Sequence, residues 1–301
     1  MNKNVRLKEK LFMPKIIQFT HPGAEHGPDE DNPKHKLWNT GNHKRKFLLA
    51  KGEYVENGEK KHGRLMFWGE WEPPSKVEKL ETNGNRLYPQ WLHRPYLPNP
   101  FPTESGLQNT DPFVFGESFK YLVCKQISFK SLTSLDTGSL ILFGSTHGKN
   151  HNAFFQLDTV FVVSKFKEYD PSDKNALVDL LKSKCIIEDY YQAVFKMAFP
   201  SEKTCSKSNA FNLRLYFGAT CDDPVEGMYS FSPAKLYNDG KIGFPRIQLK
   251  DMCYITNNLN AAPKFSKDKT LNEIKDFWKK VQDISRRSCC VEGVKFNYEK
   301  E

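Results

Sequence analysis

The chain has 301 residues, with 45 Lys and Arg against 36 Asp and Glu and a formal net charge of +9. That length can bury a full core and fits one large domain or two ordinary ones, so arguments for small stapled scaffolds do not apply. No run of about 18 apolar residues occurs and "MNKNVRLKEKLFMPKIIQF" lacks a signal-peptide stretch, so the expectation is a cytoplasmic protein with no membrane partner.

The charge is uneven. Residues 1 to 100 hold 18 Lys and Arg against 12 Asp and Glu, whereas residues 101 to 200 hold 10 against 11. Basic ends favour polyanion partners through long-range attraction, which would be strongly salt-dependent for nucleic acid. Seven scattered cysteines without C-x-x-C spacing argue for reduced thiols and against both a disulfide framework and a zinc ribbon.

In chain order, "MPKIIQF" reads as a strand that runs into the loop "FTHPGAEHGPDEDNPKH". The zinc motif H-E-x-x-H needs two histidines one helical turn apart, and Pro22 with Gly23 breaks any such helix. What remains for His21, Glu25 and His26 is hydrogen-bonding recognition, a non-helical metal site or a purely structural loop. Next, "LWNTGNHKRKFL" carries Trp38, then Asn39 to Asn42 in a turn that can expose backbone N–H groups, then His43, Lys44, Arg45 and Lys46. It is the best anion-binding candidate, although strand alternation would point Arg45 to one face and Lys44 with Lys46 to the other.

"RKFLLAKGEYVENGEKKHGRLMFWGEW" reads as a β-hairpin around Asn57-Gly58, a pair suited to a type I′ turn. Alternation in its second strand sends Leu65, Phe67 and Trp71 to one face and Met66, Trp68, Glu70 and Glu72 to the other. Trp68 beside Glu70 could stack on a planar ring and accept hydrogen bonds from its edge, while a core role for the tryptophan stays open. The proline-rich run Tyr88 to Pro112 is expected to be an extended, irregular connection.

"FKYLVCKQISF", "GSLILFGS" and "FFQLDTVFVV" are three further strand candidates, near-continuously apolar and so buried on both faces or closed into a barrel. "DPSDKNALVDLLKSKCIIEDYYQAVFKMAF" is helical in pattern, with Ser172 or Asp173 as N-cap, and "LRLYFGAT" and "PRIQLKDMCYI" return to strand. In the last element Thr270 and Glu273 form a capping box, and Leu271, Ile274, Trp278, Val281 and Ile284 share one helical face. The fold class expected is α+β with a mixed or barrel-like sheet. Residues 1–170 would form a β-rich barrel holding the site, and 171–301 an α+β extension packed on it.

The segment Leu132 to Phe166 resembles the core of the PUA-like barrel superfamily, which includes ASCH, EVE and YTH domains. The likeness lies in the Gly138-Ser139 turn, the apolar strand Leu140 to Phe143, Ser145, and the returning strand Val160 to Val163. The ASCH signature G-x-K-x-x-E-x-R is absent, and the surplus length implies a second domain or large insertions. The resemblance implies binding of RNA or DNA with a modified base held in an aromatic pocket. It offers Trp68, Trp71 and Phe143 as the cage and Asn39 or Ser145 as polar contacts.

The reading is therefore a binder of nucleic acid or nucleotide that holds a base in an aromatic pocket, with catalysis left open but not favoured, and without metal or other cofactor. One alternative is a metal-dependent hydrolase or nuclease built from His21, Glu25, His26 and Glu70. Another is an interaction scaffold that uses the proline-rich loop.

Overall fold

A computed structural model describes residues 14–40, 43–82, 84–85, 87–102, 104, 106–148, 152–171, 173, 188–199, 212–240, 242–250 and 263–300. In chain order its strands are β1 Ile16–Thr20, β2 His35–Lys36, β3 Lys46–Glu56, β4 Glu59–Gly69, β5 Ser75–Lys79, β6 Trp91–Leu97, β7 Lys120–Tyr121, β8 Leu140–His147, β9 Phe154–Tyr169, β10 Leu213–Gly218, β11 Ser232–Leu236, β12 Ile247–Leu249, β13 Lys264–Phe265, β14 Val291–Asn297 and β15 Glu299–Lys300. They build two mixed sheets. The seven-stranded one runs β13-β1-β8-β9-β10-β7, with β12 also on β9. The eight-stranded one runs β14-β11-β4-β3-β6-β5-β2, with β15 on β6, and β14 pairs with β3 as well as β11, so that β3, β4, β11 and β14 close a ring. Strand pairing in both sheets crosses residue 170, since β10, β12 and β13 complete the first sheet and β11 and β14 the second.

The hairpin of β3 and β4 is the backbone of the second sheet. Asn57 and Gly58 both take positive φ, 53° and 83°, as a type I′ turn requires, and the eleven-residue ladder runs from Glu56↔Glu59 to Lys46↔Gly69. Each face of the hairpin enters a different core. Leu48, Ala50, Leu65, Phe67 and Trp71 join one, and Phe47, Leu49, Met66 and Trp68 the other. β1 runs parallel to β8, Ile16↔Leu140 through Thr20↔Gly144, and each of the two cores takes side chains from both sheets.

Several local expectations change. "FKYLVCKQISF" leaves the sheet after Lys120–Tyr121, because the N–H groups of Leu122, Val123 and Cys124 all donate to the buried Asp111 carboxylate instead of to a neighbouring strand. Part of the proline-rich connection is strand β6, parallel to β3 at Phe47↔Leu92 and Leu48↔His93. Its Pro95 comes after that pairing has ended, where β3 makes no demand on a missing N–H. The expected helix over residues 170–199 is described only at its end, as a helical turn Glu188–Tyr190 and a π-helical turn Tyr191–Lys196; Ser172 and most of the segment lie outside the described residues. The C-terminal helix, Leu271–Arg287, has the expected capping box at Thr270 and Glu273, and buries Ile274, Trp278 and Val281. Strand β14 follows it, unforeseen. Among the described residues no helix is long and apolar enough to cross a membrane.

Candidate functional site

The register of the β3–β4 hairpin sets up the site. Paired positions sum to the same number along the ladder, so the chain just past Lys46↔Gly69 brings Arg45 beside Glu70 and His43 beside Glu72. The side chains follow: Arg45 Nη2 donates to Glu70 Oε2 at 3.0 Å, and His43 Nδ1 lies 3.1 Å from Glu70 Oε1 and 3.4 Å from Glu72 Oε1. On its other edge Arg45 forms a parallel bridge with Glu25, its N–H donating to Ala24 O and its carbonyl accepting from His26 N–H. The histidine loop is thereby pinned to the start of β3.

The first sheet supplies the opposite wall. His21 leaves β1 beside Gly144, and its Nδ1 stands 3.2 Å from Glu70 Oε2 while its ring stacks on Phe143. Between β8 and β9 the register shifts from Phe143↔Thr159 to Gly144↔Leu157, which leaves Asp158 as the extra residue of a β-bulge. Only glycine fits at 144, where a Cβ would lie 2.0 Å from Gln156 O. The bulge aims Asp158 between two guanidiniums, Arg45 at 3.8 Å and Arg246 at 3.9 Å. Arg246 also donates to Ser145 Oγ at 2.8 Å and to Gly23 O, and lies over the Trp68 ring.

This centre is buried and densely charged. Arg45, Lys46, Glu70, Glu72, Asp158 and Arg246 are all buried. Apart from His43, three cations stand against three carboxylates, so the formal charges of those six groups cancel. Burial alone would raise the carboxyl of Glu70, but Arg45, His21 and His43 hold it well below the usual range; for Glu72, Lys46 and His43 outweigh the same burial. For Asp158 burial wins and the carboxyl is pushed up despite the two arginines. His21 is held well below the ordinary imidazole value by burial, which outweighs Glu70, whereas His43, less buried, is pushed up to about 10 because Glu70 and Glu72 overcome its desolvation. Several buried atoms find no hydrogen-bond partner among the described residues: His21 Nδ1, His43 Nδ1, Arg45 Nε, Glu72 Oε1 and both Asp158 oxygens. Each such atom costs about 1 to 3 kcal/mol if left unmet.

Of the sequence-predicted residues, His21, His43, Arg45, Lys46 and Glu70 meet here, with Asn39 donating to Glu72 and Ser145 accepting from Arg246. Lys46 was expected on the face away from Arg45. Its stem instead carries the ammonium to Trp71 O and to within 3.7 Å of Glu72 Oε2, so both side chains serve one cluster. Glu25 and His26 do not join: Glu25 accepts the backbone N–H groups of Gln90 and Trp91, and the His26 carbonyl bonds His93 Nε2. The metal set His21, Glu25, His26 and Glu70 is therefore not assembled. Trp38 sits apart in a small cluster with Leu107 and Met197.

The aromatic cage is replaced by core packing. Trp71 and Phe143 are buried, and the Trp71 indole N–H donates to Pro74 O. Trp68 is buried, donates to Phe244 O and has Arg246 lying over its ring. Sequence reasoning missed Asp158 and Arg246. A lone Asp in the apolar run "FFQLDTVFVV" was the signal, since a buried acid needs a reason. It also missed the contact of Cys124 Sγ with His21 Nε2 at 3.5 Å. That thiol is not an activated nucleophile: burial pushes its pKa well up, and its own backbone N–H is committed to Asp111.

Comparisons of the chain with protein-family models, with curated proteins and with solved structures return no match.

Proposed function

We propose that this protein binds a nucleotide, or an exposed base of a nucleic acid, at the polar centre between its two sheets, without chemistry of its own. The observation that carries the reading is the convergence of His21, Arg45 and Glu70 with Asp158 and Arg246, leaving buried donors and acceptors unmet. A ligand with a mixed donor and acceptor edge offsets their desolvation, and a nucleobase has such an edge. The net charge of +9 favours a phosphate-bearing ligand over a neutral one. Recognition here rests on hydrogen bonding and charge, not on aromatic stacking. The likeness of Leu132 to Phe166 to PUA-like barrels supports the same ligand class, and free thiols such as Cys124 and Cys221 suit a cytoplasmic setting.

The test is fluorescence anisotropy with labelled single-stranded DNA and RNA, with and without modified bases, alongside free nucleotides. Binding should weaken steeply between about 50 and about 200 mM salt for a polynucleotide. Glu70→Gln, checked for folding by circular dichroism, should lose it. Absence of binding to every probe at low salt refutes the reading.

A further inference from the structure

The histidine contacts of Glu70 and Glu72 have an unusual feature: they are close without being hydrogen bonds. His43 Nδ1 stands 3.1 and 3.4 Å from two carboxylate oxygens, and His21 Nδ1 stands 3.2 Å from a third, yet among the described residues neither nitrogen has a partner with hydrogen-bond geometry. A proton on His43 Nδ1 would point at one of its neighbours; here it points at none. Lone pairs that crowd together off-axis are what remains when several donors face one common point.

The spacing is that of a coordination polyhedron. With metal–nitrogen and metal–oxygen bonds of about 2.1 Å, neighbouring ligand atoms lie about 3.4 Å apart in a tetrahedron and about 3.0 Å in an octahedron. Ligand atoms of His43, Glu70 and Glu72 all lie within 4.8 Å of one another. The outer contacts fit as well. Arg45 holds Glu70 by Oε2 and Asn39 holds Glu72 by Oε2, which leaves the Oε1 atom of each turned toward His43. Metal-bound carboxylates are oriented by such second partners. The independent sign is Glu72 Oε1, an unmet oxygen on a fully buried side chain aimed into this group.

We propose that His43, Glu70 and Glu72 bind a divalent cation of the zinc class, with the remaining coordination position open to water or a ligand. Imidazole with carboxylate selects Zn²⁺ or Fe²⁺ over Mg²⁺ and Ca²⁺, which favour all-oxygen sites. The surrounding cations and carboxylates already cancel, so the ion adds two positive charges that an anionic ligand would balance. That last step touches the nucleotide reading; the cation site itself does not depend on it, and the two are measured separately.

The experiment is titration of the chelator-stripped full chain with Zn²⁺ alone by calorimetry, and with Co²⁺ followed by visible absorption. Expected are about one equivalent of Zn²⁺, a Co²⁺ spectrum of low coordination number that Zn²⁺ abolishes, and no displacement by Mg²⁺. His43→Gln and Glu72→Gln should each weaken Zn²⁺ binding by at least about 10-fold, while His62→Ala, a surface change on β4, leaves it intact. The Co²⁺ spectrum of the unmutated chain keeps the test decisive should a variant misfold. No stoichiometric Zn²⁺, an octahedral all-oxygen Co²⁺ spectrum, or unchanged affinity in folded His43→Gln would each overturn the proposal. A chain that binds Zn²⁺ but no nucleotide retains the site and loses only the function proposed above.

Discussion

The pair Arg45 and Glu70 gives the sharpest test of the buried cluster. Arg45 is 1 % exposed, and Glu70 is the acceptor of its one close hydrogen bond to a carboxylate, with Asp158 at 3.8 Å its next anion. Removing either partner strands the other in the protein interior, which costs about 3 to 5 kcal/mol. With an unfolding entropy of about 2.1 cal/mol/K per residue, the 301-residue chain loses roughly 0.6 kcal/mol per kelvin at its midpoint, so a 3 kcal/mol defect lowers Tm by about 5 °C. Arg45→Met and Glu70→Met should each show that drop. The double variant should fall little further, because two apolar side chains of similar volume strand no charge. The measurement is a double-mutant cycle by thermal and urea unfolding of chelator-stripped protein, with a coupling of about 2 to 3 kcal/mol expected. Losses that add to within about 0.5 kcal/mol would refute the claim that the two groups depend on each other.

Other consequences follow from single residues. His26 and His93 are held below the ordinary imidazole value by burial, His26 down to about 3. A histidine lowered in the fold contributes stability that is present above its unfolded value near 6.5 and is lost as pH falls toward its folded value, at up to about 1.4 kcal/mol per pH unit. Unfolding at pH 5 should therefore take up about one proton fewer in His26→Gln than in the unmutated chain, and equal uptake would contradict the assignment. Two glycines should separate backbone strain from crowding. Gly58→Ala meets no atom within 4 Å and should cost only about 1 kcal/mol for its φ of 83°, whereas Gly144→Ala drives a Cβ to 2.0 Å from Gln156 O and should cost about 3 kcal/mol or more. At the C-terminal helix, Thr270→Ala removes the capping hydroxyl and should lower stability by about 1 kcal/mol in urea unfolding.

What could be read in the sequence is what local geometry decides. Asn57-Gly58 fixes the turn, the turn fixes the register, and the register by itself places Glu70 opposite Arg45 and Glu72 opposite His43. The capping box at Thr270 is equally local. Residues brought in by distant pairing were not legible: Asp158 enters through a bulge, Arg246 from the segment before β12, and Cys124 from a turn held by Asp111. The tryptophans misled for a different reason. Alternation tells which face of β4 carries Trp68 and Trp71, but both faces of this hairpin are covered, so either orientation ends in a core. Strand β14 was overlooked although Glu292, Val294 and Phe296 alternate inward, because its short run includes Gly293 and two charged residues.

The position of the cluster bears on why it is there. The β3–β4 ladder is complete at Lys46↔Gly69, and the two flanking cores are built of hydrophobic side chains. Burying three cations and three carboxylates carries a desolvation cost that their mutual attraction offsets only when every hydrogen-bonding atom is met, and an apolar core of the same volume would be as stable or more so. Here several atoms are not met, and a glycine that tolerates close backbone approach is used to turn Asp158 inward. The fold thus departs from its most stable solution at the end of the β3–β4 framework, where the paired strands end and the histidine loop begins. Such a departure is expected where a site must keep unmet groups ready for something that binds. By that reasoning an apolar replacement of the Arg45 and Glu70 pair retains the fold while giving up the binding.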